Sequence, residues 1–147
     1  MPVIKEIKKN KIILDTHILI WTMTGHSMLK KHFRDSLKVA LLEQRVLVSP
    51  MSVWEIGMLV EKKRLSLDMD PMEWVDQALD SAGINICELT PKIAIQSTRL
   101  AGEVHGDPVD RILMASAQEQ NAALVTCDNK ILEYGKGKLL TVHDPTK

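Results

Sequence analysis

The chain has little aromatic surface: only 3% of its 147 residues are Phe, Trp or Tyr. That scarcity excludes the array of stacked rings on which single-strand binders hold successive bases. There is no surplus of charge, because 19 basic residues balance 19 acidic ones. No global field draws in a polyanion, so any contact with one must come from a local patch. The two cysteines, Cys87 and Cys127, lie far apart and form no C-x-x-C zinc or redox motif. The histidines have no H-x-x-x-H spacing, which argues against zinc. No Gly-rich phosphate loop is present, and no Ser or Cys nucleophile stands out beside a paired His. The longest apolar runs fall well short of the ~20 residues that a membrane span needs. No signal-peptide pattern is visible at the N-terminus. A reduced, cytoplasmic protein with no membrane segment is the expectation.

What is present describes a globular domain. Apolar residues make up 45% of the chain and charged residues 26%, the balance of a chain with an ordinary core. The length suits one domain over residues 1–147, with residues 1–10 as an extra strand or an arm. Short apolar runs at Ile12–Leu14, Val46–Val48, Ile84–Cys87, Leu124–Thr126 and Leu139–Val142 read as strands. Between them lie helical patterns. One runs from Leu29 to about Gln44. The others open at Ser49-Pro50, Asp70-Pro71, Thr90-Pro91 and Asp107-Pro108, each pairing a capping residue with a proline suited to the first helical position. Gly83 stops the helix that opens at Asp70, and the Thr90 helix extends through Ile93, Ile95 and Leu100. Strands alternating with helices predict an α/β sandwich with a mostly parallel central sheet.

In such sheets, ligands bind beyond the carboxyl ends of the strands. Asp15 ends the first strand, and Asp128 follows the strand at Leu124. Glu55 and Asp110 lie in the opening turns of helices that start at the same edge. Four carboxylates from distant parts of the chain are therefore expected to converge there, and a hard divalent cation would relieve their mutual repulsion. Each acid also has a structural reading. Asp15 could be a turn residue, Asp128 a cap, and Glu55 the far end of a Ser52-x-x-Glu55 capping box. Pro50 argues against that box, since it makes Ser49 the cap and puts Glu55 a full turn inside. Asp107 reads as an N-cap, and Asp110 as a first-turn acid that favours the helix dipole. Trp21, Trp54 and Trp74 read as core or interface residues, and Lys62, Lys63 and Arg64 as a solvated helix end.

The chain resembles a PIN-domain protein of the VapC toxin type. The resemblance rests on Ile13-Leu14-Asp15-Thr16-His17-Ile18-Leu19-Ile20-Trp21 and on Ser52-Val53-Trp54-Glu55-Ile56. It continues with Asp107-Pro108-Val109-Asp110-Arg111-Ile112-Leu113-Met114-Ala115 and closes with Leu124-Val125-Thr126-Cys127-Asp128. It covers about residues 12–143. It implies a five-stranded parallel sheet flanked by helices and a Mg²⁺- or Mn²⁺-dependent endoribonuclease acting on single-stranded or loop RNA. Asp15, Glu55 and Asp110 would be metal ligands, Asp128 the fourth acid, often through water, and Thr16 a hydrogen-bonding support. It further implies a homodimer inhibited by a small VapB-like antitoxin. Cys127 stands where relatives often carry Arg, and Val109 where an aromatic is common. Two other readings compete: a housekeeping RNA-processing nuclease of the same fold, and a signalling or non-catalytic module with an acidic pocket. A receiver domain would need paired acids after its first strand, and here that strand delivers one.

Overall fold

The computed structural model describes residues 7–102, 104 and 106–147. In chain order the elements are β1 (Ile12–Leu14), α1 (Thr16–Thr24), α2 (Lys31–Leu42), β2 (Val46–Val48) and α3 (Pro50–Glu61). Then come α4 (Pro71–Asp76), which runs on as a π-helical turn over Gln77–Ser81, β3 (Asn85–Ile86) and α5 (Pro91–Gln96). The chain closes with α6 (Pro108–Gln120), β4 (Ala123–Val125), α7 (Asn129–Gly135) and β5 (Val142–His143). The five strands form one sheet in the order β3-β2-β1-β4-β5, and every neighbouring pair is parallel.

The central strand explains the layering. Ile12, Ile13 and Leu14 are all fully buried, and successive side chains of a strand point to opposite faces. Ile12 and Leu14 join a core with Ile18 and Leu19 of α1, Phe33 and Leu37 of α2, Ile56 of α3, and Trp74 of α4. Ile13 joins a second core with Ile93 of α5, Leu113 and Met114 of α6, and Ile131 of α7. Helices thus cover both faces, as an all-parallel sheet requires.

Four helices begin where the cap-and-proline pairs place them. Ser49, Asp70, Thr90 and Asp107 each accept a backbone N–H from the first turn, with proline next in sequence. Ser49 is therefore the cap of α3, and the Ser52–Glu55 capping box does not form.

Other bounds differ from expectation. The sequence pattern assigns no element to Thr16–Thr24, yet α1 is there. Its residues are apolar around much of the helix, with Thr16, Ile18, Leu19 and Ile20 buried, so no polar stripe marks its period. The Thr90 helix ends at Gln96, short of Leu100. The hydroxyls of Ser97 and Thr98 donate back to the carbonyls of Ala94 and Ile95, both at 2.6 Å, a local bonding that competes with helix continuation. The last strand is Val142–His143 and not Leu139–Val142.

Residues 1–6 of the expected N-terminal strand or arm lie outside the described residues. Residues 7–10 form no strand. Ile7 is instead fully buried in the first core, and Arg45 Nη1 donates to the carbonyls of Ile7 at 2.8 Å and Asn10 at 2.7 Å. Among the described residues, no helix is long and apolar enough to cross a membrane.

Candidate active site

The chain winds outward from β1 through β2 to β3, then returns to lay β4 against the other side of β1. The crevice beyond the ends of β1 and β4 is a topological switch point, where open parallel sheets bind ligands. The order also differs from the 2-1-3-4-5 of receiver-type sheets.

Asp15 follows β1 directly, and its backbone N–H donates to Val125 O at 3.0 Å. Its side chain caps α1. Oδ1 accepts from the Thr16 N–H at 2.7 Å, and Oδ2 accepts from Thr126 Oγ1 at 2.7 Å. Burial pushes the Asp15 carboxyl above its ordinary value, against the pull of these two bonds and of nearby His17; Asp128 adds to the upward push.

Asp128 caps α7 through Oδ1, which accepts from Lys130 N at 2.9 Å and Ile131 N at 3.1 Å. Its own N–H donates to Thr126 Oγ1 at 3.0 Å. The fully buried Thr126 hydroxyl therefore sits between two acids, donating to the side chain of one and accepting from the backbone of the other.

Asp110 lies in the first turn of α6, which Asp107 caps by accepting from Val109 N at 2.9 Å and Asp110 N at 3.2 Å. The Asp110 carboxyl is pushed up to about 7, first by burial and then by the negative charges of Asp107, Asp15, Asp128 and Glu55. Glu55 lies within α3, one turn after Ser52. Ser52 is fully buried, and its Oγ accepts from Thr16 Oγ1 at 3.0 Å. That bond ties the start of α1 to α3 just before Glu55.

These elements deliver Asp15, Glu55, Asp110 and Asp128 to one cavity of about 330 Å³, whose walls also include His17, Asp107 and Cys127. Among the described residues, no Lys or Arg lines it. The donors are mostly hard carboxylate oxygens, the preference of Mg²⁺ and Mn²⁺. Among the described residues, no group of three His, Cys, Asp or Glu side chains stands ready to hold an ion alone. An ion that keeps several waters, and takes one or two carboxylates together with substrate phosphate, fits such a set. A structural zinc, which needs four protein ligands, does not.

The sequence profile of the PIN domain matches residues 12–137. The chain belongs to the PIN-domain family. Among curated proteins this PIN domain is similar to "Ribonuclease VapC22" of Mycobacterium tuberculosis, 25% identical over 131 residues, covering 89% of this chain and 97% of that protein. Among solved structures it shares its fold with VapBC2 of Rickettsia felis bound to a promoter DNA fragment, at TM-score 0.67 and 17% identity, covering 90% of this chain and 96% of that one. DNA-bound VapBC of Salmonella typhimurium aligns at TM-score 0.64 and 19% identity, covering 92% and 98%.

Three residues at this PIN-domain cavity escape a reading of sequence alone. Asp107 is the cap expected of it, yet its carboxylate also faces the cavity and helps raise Asp110. His17 is two residues past Asp15 in the first turn of α1, a position that signals nothing until α1 is recognised. Thr126 precedes Asp128 by two residues and is buried; only the parallel pairing of β1 with β4 brings it to Asp15. Cys127 also lines the cavity, and burial pushes its thiol up, the opposite of the lowered value that marks a reactive cysteine.

Proposed function

We propose that this PIN-domain protein is an endoribonuclease dependent on Mg²⁺ or Mn²⁺, the toxin of a toxin–antitoxin pair. The observation that carries the reading is the cavity at the β1/β4 switch point, lined by carboxylates from four separate parts of the chain. Similarity to "Ribonuclease VapC22" supports RNA as the substrate. The VapBC complexes among its structural neighbours support a VapB-like antitoxin as partner. We take the protein to be one domain that works as a cytoplasmic homodimer on single-stranded or loop RNA.

In this reading Asp15, Glu55 and Asp110 are the metal ligands, and Asp128 completes the site through water. A divalent ion held there supplies a more acidic water and neutralises charge on the attacking and leaving oxygens of a phosphodiester. The chain's own residues prepare that chemistry. Thr126 and the Thr16 N–H fix the rotamer of Asp15. Thr16 also braces α3 through Ser52, one turn before Glu55. Asp107 holds the start of α6, and with it Asp110, at the cavity wall.

The test is cleavage of single-stranded RNA by protein purified free of antitoxin. Cleavage is expected with Mg²⁺ or Mn²⁺, and its loss with a chelator or on Asp15→Asn. RNA left intact by the folded wild-type chain with either ion would overturn the reading.

A further inference from the structure

The acid-lined cavity has a neighbour. A second cavity, of about 460 Å³, is lined by Gly106, Asp107, Asp110, Asp128, Asn129 and Lys130. It shares three walls, Asp107, Asp110 and Asp128, with the cavity that holds Asp15 and Glu55. The two therefore adjoin as one trough along these acids; His17 lines the first cavity alone and Lys130 the second alone. Of the described residues lining it, Lys130 is the one Lys or Arg.

A polyanion laid along this trough meets a row of carboxylates. A divalent ion can offset their charge at the reacting phosphate, but not at the phosphates to either side. The chain's net charge is zero, so no general field makes up the difference. A fixed cation beside the acids is needed to hold the strand in place. Lys130 is exposed, and among the described residues it makes no ion pair, unlike Lys31, Lys92 and Lys136. Its place is set by Asp128, whose Oδ1 accepts the Lys130 backbone N–H at 2.9 Å. An acid of the trough thus fixes the backbone from which the ammonium extends. Asn129 beside it adds an amide that can both donate and accept.

We propose that Lys130 forms a phosphate subsite for a nucleotide flanking the one that is cut, and so positions single-stranded RNA along the trough. This rests on the ribonuclease reading above and adds to it the direction in which the strand leaves the reacting centre. Lys130 is a positioning residue, since it is not among the carboxylates that face the reacting phosphate.

The test is the binding of a short single-stranded RNA to the Asp15→Asn chain, with and without Lys130→Ala, across a series of salt concentrations in Mg²⁺. Loss of one phosphate contact should lower the slope of log Kd against log salt by about 0.7 for a single strand. It should weaken binding about fivefold at low salt, the scale of an exposed ion pair. Lys130→Arg should restore both, and Lys92→Ala, at a lysine paired with Glu119 near the other end of α6, should change neither. In the otherwise wild-type chain, the cost of Lys130→Ala should fall on KM far more than on kcat. An unchanged salt slope overturns the subsite, whether or not RNA is cut. A changed Mg²⁺ requirement with an unchanged slope assigns Lys130 to calming the carboxylates, and also overturns it. A slope that falls while the wild-type chain cuts no RNA supports the phosphate subsite and overturns the ribonuclease reading alone.

Discussion

Thr126 and Asp15, 111 positions apart in the chain, share a 2.7 Å hydrogen bond at the adjoining ends of β4 and β1. The same hydroxyl accepts the Asp128 N–H, so one buried side chain spaces two acids of the cavity. Thr126→Val keeps the shape and removes both bonds. It should cost about 1–3 kcal/mol, the price of leaving buried polar groups unmatched. It should also weaken Mg²⁺ binding, since Asp15 loses a bond that holds its carboxylate down. Thr126→Ser should recover most of both. Urea unfolding and a Mg²⁺ titration check this, and equal stability of the Val and Ser variants would count against it.

Asp110 makes the metal-free protein sensitive to pH. Its carboxyl titrates near about 7 in the folded chain, against an ordinary 3.8. Between those values the folded state binds more protons than the unfolded state, so stability falls as pH rises through that window. Melting temperature in a chelator should therefore rise from pH 7 down toward pH 5. Asp110→Asn should flatten that part of the profile and raise stability at pH 7.5 and above. Saturating Mg²⁺ should flatten it in the wild type by offsetting the same charge. A metal-free profile that is the same with and without Asp110 would exclude this account.

The bond between Thr16 and Ser52 is buried and joins α1 to α3. Ser52→Ala leaves the Thr16 hydroxyl without that acceptor and should cost about 1–3 kcal/mol. The double variant Thr16→Val with Ser52→Ala should cost less than the sum of the two singles, by about 0.5–3 kcal/mol of coupling. A double-mutant cycle in urea measures this. Strict additivity would mean that the bond contributes nothing.

Gly135 closes α7 where β5 passes, and a Cβ there would run into the side chain of Val142. Gly135→Ala should destabilise by about 1–3 kcal/mol through this overpacking. Adding Val142→Ala should return part of the loss. If Gly135→Ala instead raises the melting temperature, the helix-propensity gain has outweighed the clash.

Much of the scaffold is local chemistry, and local chemistry is legible in a sequence. Ser49-Pro50, Asp70-Pro71, Thr90-Pro91 and Asp107-Pro108 each state a helix start without reference to anything distant. The apolar runs at Ile12, Val46 and Leu124 state strands buried on both faces. Alternation of the two kinds of element, with acids after two strands and in two helix starts, was enough to place Asp15, Glu55, Asp110 and Asp128 at a single edge. The helix α1 was not legible, because a helix packed against both β1 and α3 needs no polar stripe.

Tertiary structure alone decided what surrounds those acids. Parallel pairing of β1 with β4 carries Thr126 to Asp15, and the packing of α1 against α3 joins Thr16 to Ser52. Such couplings join residues far apart in the chain and depend on distances of a few ångströms. Propensity and periodicity, which act over a turn or two, carry no record of them.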